Sequence, residues 1–290
     1  MKNFKKNPPS VLIIVSWLGP FPAYYELWKK TVSKNPSVNW LVVSDNKPDN
    51  TLENVKHVHC THKDLVKLIS KKCDIEVDAD FEAYKLCDFR VMYADMFSEY
   101  INGFDFWGFG DLDVMYGNIR ECLKIYLEKY DAIGVGCCNR VSGPTCLFRN
   151  KSKLNKLYKK IDPLLFKGRY RGLDERHMTK LIKKSGEAFN FEQKSISPNF
   201  IWEDGNFYKY KHKNGKNRIA KQVLFHFGGG NKLGGTNPTK EAQEQFYKDH
   251  PSCPDYLRKI NLIPSLDNIN INKAIYVERD FNMKNHINNK

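Results

Sequence analysis

Three largely apolar runs constrain this chain most: "SVLIIVSWL", "VNWLVVSDN" and "FDFWGFG". Each is bounded by turn or polar residues and reads as a buried strand. Between them lie segments with helical spacing: "AYYELWKKTVSKN", "HKDLVKLISKKC" and "EAYKLCDFRVMYADMFSEYI". In the last, Leu86, Phe89, Tyr93, Met96 and Phe97 recur at three- and four-residue intervals, which predicts one long helix with a single apolar face. A further helix, "NIRECLKIYLEKY", and two further strands, "DAIGVG" and "GPTCLFRN", follow. Strands alternating with helices predict an α/β layered fold. The second half is less regular, with a plain loop at "GGGNKLGGTNP" and an expected tail beyond Pro251.

Composition narrows the class. A chain of 290 residues that is 41% hydrophobic and 13% aromatic can bury a full core and is not of disordered type. The longest apolar run, Val11 to Gly19, is too short to span a membrane, and no small-residue cleavage pattern follows it. The expected setting is therefore cytoplasmic, with neither signal peptide nor transmembrane segment. Eight cysteines without a C-x-x-C pair argue for reduced, mostly buried thiols rather than a disulfide framework or a structural zinc. The net charge of +14 suits a lysine-rich solvated surface or a peripheral contact with an anionic membrane face. No nucleic-acid module accompanies it, so no specific nucleic-acid partner is expected.

The chemistry begins where "FDFWGFG" ends, at Asp111-Leu112-Asp113. On a regular strand, residues i and i+2 share a face only while the pleat continues; past the strand's end the backbone turns and two carboxylates can converge. Hard divalent cations bind through such oxygens, and Mg²⁺ typically adds substrate phosphates to one or two carboxylates. The plain alternative is a pair of turn-capping aspartates. Later, "VLFHFGGGNK" presents His226, Gly229 and Lys232 after an apolar strand. Imidazole is a good ligand for Mn²⁺-class ions, glycine lets backbone approach a diphosphate, and lysine brings a point charge to it. In open α/β sheets ligands bind beyond the carboxyl ends of strands, which draws Asp45, at the end of "VNWLVVSDN", toward the same rim.

Asp111-Leu112-Asp113 with His226-x-x-Gly229-x-x-Lys232 resembles the GT-A-fold, metal-dependent glycosyltransferases. The motif is similar to that of the glycogenin and galactosyltransferase-like retaining families, although Leu233-Gly234 stands where those have Pro-Trp. The resemblance implies a three-layer α/β/α Rossmann-like fold with a mostly parallel central sheet. It also implies Mn²⁺ (or Mg²⁺) on Asp111, Asp113 and His226, and a nucleotide-sugar donor, a UDP-sugar first among them. Asp111, Gly229 and Lys232 would serve the donor diphosphate and Asp45 the nucleoside. Arg90, with Lys85 and Asp88 beside it in "KLCDFR", would supply a donor contact on the helix before the D-x-D strand. The expected plan is one catalytic domain over 1–290. Within it, 10–120 forms the nucleotide-sugar half, 121–242 the acceptor half with the metal and diphosphate motif, and 243–290 an extension.

One more pair stands out, Asp174 and Glu175 in "RGLDERHMTKLI". An N-cap at Asp174 would account for one of them. The resemblance implies in addition, and compatibly with a cap, that a carboxylate here faces the acceptor hydroxyl and the anomeric carbon, and either residue fits. The activity so implied is hexosyl transfer to a glycan or glycolipid acceptor in polysaccharide or glycoconjugate synthesis, with retention favoured. Two alternatives compete: a haloacid-dehalogenase-type phosphatase or phosphotransferase using Asp111, since "DLDVM" fits that pattern too, and a basic nucleic-acid-binding protein.

Overall fold

A computed structural model describes residues 8–22, 25–136, 139–194, 200–209, 218–226 and 274–277. Gly229, Lys232, the glycine-rich loop around them and most of the tail lie outside these residues. The first strands are β1 (Val11–Trp17), β2 (Asn39–Ser44), β3 (Val55–His59), β4 (Phe106–Gly110) and β5 (Val114–Tyr116). They are followed by β6 (Ala132–Gly136), β7 (Thr145–Arg149), β8 (Phe189–Lys194), β9 (Phe200–Glu203) and β10 (Asn206–Lys209). The last are β11 (Arg218–Ala220), β12 (Leu224–His226) and β13 (Ala274–Val277). The chain forms two compact units: Met1–Phe21, Asn35–Asp111 and Ile119–Lys194 make the first, and Pro22–Lys34, Leu112–Asn118 and Ser195–Lys290 the second.

The first unit is built on a seven-stranded sheet in the order β3-β2-β1-β4-β7-β6-β8. Its pairs are parallel except those of β7, which runs antiparallel to both β4 and β6. The α/β fold with a mostly parallel sheet is thus as expected. The apolar runs show no alternation because both faces are covered. Leu12, Ile14, Leu41, Val43, Trp107 and Phe109 share a cluster with Leu65, Ile69 and Cys73 of the helix His62–Cys73. Their neighbours Val11, Ile13, Val15, Trp40, Val42 and Phe106 point the other way and are equally buried. Gly108 interrupts "FWGFG" for a packing reason: a Cβ there would lie 2.1 Å from the Cys146 carbonyl oxygen of β7.

The helix His62–Cys73 starts at a capping box: Asp64 N–H donates to Thr61 Oγ1 at 3.3 Å, and Thr61 N–H donates to Asp64 Oδ2 at 3.0 Å. Such a cap contributes about 1 kcal/mol. The expected long helix over 82–101 is not continuous. It is a series of short turns: Ala83–Lys85 and Arg90–Met92 are 3₁₀, and Leu86–Phe89, Tyr93–Met96 and Ser98–Ile101 are α. Leu86, Phe89, Tyr93, Met96 and Phe97 are all buried as the spacing predicts. So are Lys85, Asp88, Arg90 and Asp95, and a segment whose charged side must also find buried partners bends to reach them. Strand β3 has no counterpart in the sequence reading, because only Val55 and Val58 in "VKHVH" are apolar; it is an edge strand.

The second unit holds the two-stranded pair β5–β12, with Val114 opposite His226, and a four-stranded antiparallel sheet in the order β11-β10-β9-β13. The helix Tyr25–Ser33 belongs to it and buries Tyr25, Leu27, Trp28, Thr31 and Val32. Trp202 Nε1 donates to the Tyr116 carbonyl at 2.8 Å, tying β9 to β5. Among the described residues no helix is long and apolar enough to cross a membrane. Of the cysteines described, Cys60, Cys73, Cys87, Cys122 and Cys146 are free thiols.

Candidate functional site

Strand β4 enters the core as Phe106-Trp107-Gly108-Phe109 and leaves it at Asp111, where the buried Arg90 meets it. The Arg90 guanidinium bonds through Nη2 to Asp111 Oδ1 and donates through Nη1 to the Gly143 carbonyl at 3.1 Å. Nη1 also lies 3.6 Å from Asp174 Oδ2, and the cation stands 5.5 Å from the Phe109 ring centre. A buried guanidinium needs such counter-charges. Burial alone would weaken its charge, yet Asp111, Cys87 and Asp174 together raise its pKa well above the ordinary arginine value.

Asp174 and Glu175 stand in a π-helical turn, Leu173–His177, that leads into the helix Met178–Ser185. Isolated π turns are frequent at functional sites. Asp174 is not the N-cap that the sequence suggests: the cap position is Gly172, in left-handed backbone at φ 70°. The amides of Arg171 and Leu173 are taken instead by Asp88, at 2.8 and 2.7 Å. Asp174 therefore turns inward, 1% exposed, toward Arg90 and the Tyr170 hydroxyl, which donates to its Oδ1 at 3.3 Å. Burial pushes its carboxyl up to about 7; Arg90 resists the shift, while Glu175, Asp88 and Asp111 add to it. Glu175 is more open. Its Oε1 accepts from Gly143 N–H at 3.0 Å and its Oε2 pairs with Arg140 at 3.0 Å.

Gly143 is the point these groups surround. A Cβ placed on it would lie 3.3 Å from Glu175 Oε1, 3.4 Å from Arg90 Nη1 and 3.7 Å from Asp111 Oδ2. The first unit thus brings together four residues singled out in the sequence, Arg90, Asp111, Asp174 and Glu175, around a backbone amide and carbonyl.

Lys85 and Asp88 take a different place from the donor contact expected of them. Both side chains are fully buried and paired at 2.9 Å. The Lys85 ammonium also donates to the Leu165, Arg169 and Lys167 carbonyls at 2.8, 3.1 and 3.4 Å. With its donors so committed, the pair is a strut that fixes residues 165–173 and hence the turn carrying Asp174. Asp45 is exposed at the end of β2, where its Oδ1 accepts from Gly19 N–H at 2.9 Å and pins the segment leaving β1.

In the second unit the β5–β12 pairing sets Asp113 Oδ2 3.3 Å from His226 Nε2, both side chains partly exposed. Their register explains it, since His226 lies opposite Val114, the residue after Asp113. The chain passes from the first unit to the second between Asp111 and Leu112. Sequence reading missed Arg140, Gly143 and Tyr170. All three lie outside regular strands and helices, and "NRVSGP" and "GRYRG" carry no signal beyond that of ordinary turns.

Fold and site define an α/β protein with a charged, partly buried centre at the carboxyl end of a central strand. The chain belongs to the family described as "Family of unknown function (DUF6625)", whose match covers residues 13–171, more than half its length. That span contains Asp45, Lys85, Asp88, Arg90, Asp111 and Asp113. No curated protein matches the chain. Among solved structures it is similar to the galactosyltransferase LgtC in complex with donor and acceptor sugar analogs, at 10% identity and a TM-score of 0.36, over 61% of this chain and 72% of that one. It is similar to the WbbM bifunctional glycosyltransferase at 11% identity and a TM-score of 0.37, over 66% and 40%. Mouse xyloside xylosyltransferase 1 is another, at 12% identity and a TM-score of 0.38, over 62% and 83%.

Proposed function

We propose that the chain transfers a glycosyl group from a nucleoside-diphosphate sugar, a UDP-sugar first among them, to a hydroxyl of a glycan or glycolipid. The observation that carries this reading is the Arg90 centre. One buried guanidinium directs Asp111 at the end of β4 and faces Asp174, while Glu175 is held beside it on the Gly143 amide. A carboxylate for the donor side and two for the acceptor side is the equipment that displacement at a sugar carbon requires.

Asp111, Asp113 and His226 would hold Mn²⁺ or Mg²⁺. Two carboxylates and an imidazole suit an ion of the Mn²⁺ class, and the Asp113–His226 pair already sets two such groups 3.3 Å apart. When bound, the cation offsets the charge that develops on a leaving diphosphate. Arg90 orients Asp111 through its Oδ1. Asp174, with its carboxyl near 7, exchanges a proton close to neutrality, and Glu175 is the more accessible carboxylate for an acceptor hydroxyl. In this reading Gly229 and Lys232 serve the diphosphate and Asp45 the nucleoside, and the outcome is retention.

The test is a thermal-shift panel of UDP, GDP, CDP and their sugars, with and without Mn²⁺. A shift that needs one nucleotide and the metal together, and is lost in Asp113→Ala with the unliganded melting temperature unchanged, supports the reading. No shift under any combination refutes it.

A further inference from the structure

Beside the acid pair of the first unit lies a surface that the reaction as described leaves unused. Tyr84 is 53% exposed, an unusual place for a large ring. It meets the half-buried Tyr170 edge to face, with ring centres 4.7 Å apart. Tyr170 in turn donates its hydroxyl to Asp174 Oδ1, so the aromatic pair is tied directly to the candidate acceptor carboxylate. Both phenols stay protonated: burial, helped by the nearby carboxyl groups Asp111 and Asp174, pushes Tyr84 up to about 12, and burial and Asp174 raise Tyr170 as well. They are therefore neutral surfaces with hydroxyl donors, suited to the mixed apolar and polar faces of a sugar ring.

Cations frame this pair. Arg176 is exposed, and its stem packs on Gly172: a Cβ on that glycine would lie 3.7 Å from Arg176 Cδ and 3.5 Å from the Tyr170 hydroxyl. The left-handed backbone of Gly172 and its missing side chain let these two groups come together. Arg171, one residue before, is also exposed, and its amide is fixed by Asp88. Neither guanidinium forms an ion pair among the described residues. The carboxylates close by are occupied, Asp174 by Arg90 and Tyr170 and Glu175 by Arg140. An exposed guanidinium held beside an aromatic pair, with its fork free, matches a carboxylate or a phosphate.

We infer that Tyr84, Tyr170 and Arg176, with Arg171 at the edge, form the acceptor subsite, and that the sugar it takes carries an anionic group, a carboxylate or a phosphate. The inference rests on Asp174 and Glu175 being the acceptor side of the transfer centre. The ring lies on the tyrosines with a hydroxyl toward the acid pair, and the anion meets Arg176.

Calorimetric titration of the full chain tests this without nucleotide or metal. The probes are a methyl hexoside, the matching methyl hexuronide, the matching hexose 6-phosphate, and inorganic phosphate. One or both anionic sugars should bind about tenfold more tightly than the neutral one, the size of one charge-assisted hydrogen bond. Which of the two does so identifies the anion. Arg176→Ala should reduce that preference to near unity, Arg176→Lys should restore part of it, and Tyr84→Ala should weaken all three sugars alike. Equal affinities, a preference that survives Arg176→Ala, or inorganic phosphate binding as tightly as the sugar phosphate would overturn the proposal. Because donor and metal are absent, these results stand apart from the nucleotide panel. A failed preference beside an intact nucleotide shift removes the subsite alone, and the reverse removes the donor reading alone.

Discussion

Asp174→Asn should make the protein's stability less dependent on pH, in a direction that distinguishes burial from ion pairing. The folded carboxyl stands at about 7 against an ordinary 3.8, chiefly because it is buried. A raised folded pKa means that the native state holds a proton the unfolded chain has released. The stabilising contribution is therefore complete below 3.8 and is lost as pH rises through about 7. Between about pH 7.5 and about pH 5 the linkage is worth on the order of 2.5 kcal/mol in favour of wild type. Asparagine has the same shape and no proton to bind, so the difference between the two proteins should grow by about that amount on acidification. Urea denaturation of both, with EDTA present, measures it, and titrations elsewhere in the chain are common to the two. A difference that stays constant within about 0.5 kcal/mol, or changes in the opposite sense, would show that Arg90 rather than burial governs Asp174.

Three further outcomes follow from the same contacts. Arg90→Met leaves Asp111 and Asp174 without their shared cation and should cost about 3–5 kcal/mol by chemical denaturation. Arg90→Lys, which keeps the charge but not the fork joining Asp111 to Gly143, should cost less while still lowering transfer at least about tenfold. Lys85→Met strands a buried carboxylate at Asp88 and should destabilise by about 3–5 kcal/mol, with faster proteolysis confined to 165–173 as the sign that the strut has failed.

How far the site was legible depends on the range of the interactions involved. The apolar runs announce β1, β2 and β4, and the spacing of Leu65, Ile69 and Cys73 announces their helix, because burial patterns repeat locally. Asp111 is conspicuous for the same reason, as a charge at the end of a run that buries everything else. β3 escapes notice, since pairing with β2 rather than its own composition makes it a strand.

The charged residues divide differently. Composition and motif mark Lys85, Asp88, Arg90, Asp174 and Glu175 as candidates and say nothing of their partners. A buried charge takes its role from whichever groups compensate it, and those come from distant parts of the chain. Only the fold decides that Lys85 and Asp88 face inward as a strut, that Arg90 joins Asp111 to Asp174, and that Asp174 leaves the capping of its turn to Asp88. The sequence by itself determined the layers and the chemical types at the rim of the sheet. Tertiary structure decided which charges meet, because the cost of burying them is met only by contacts that local spacing does not encode.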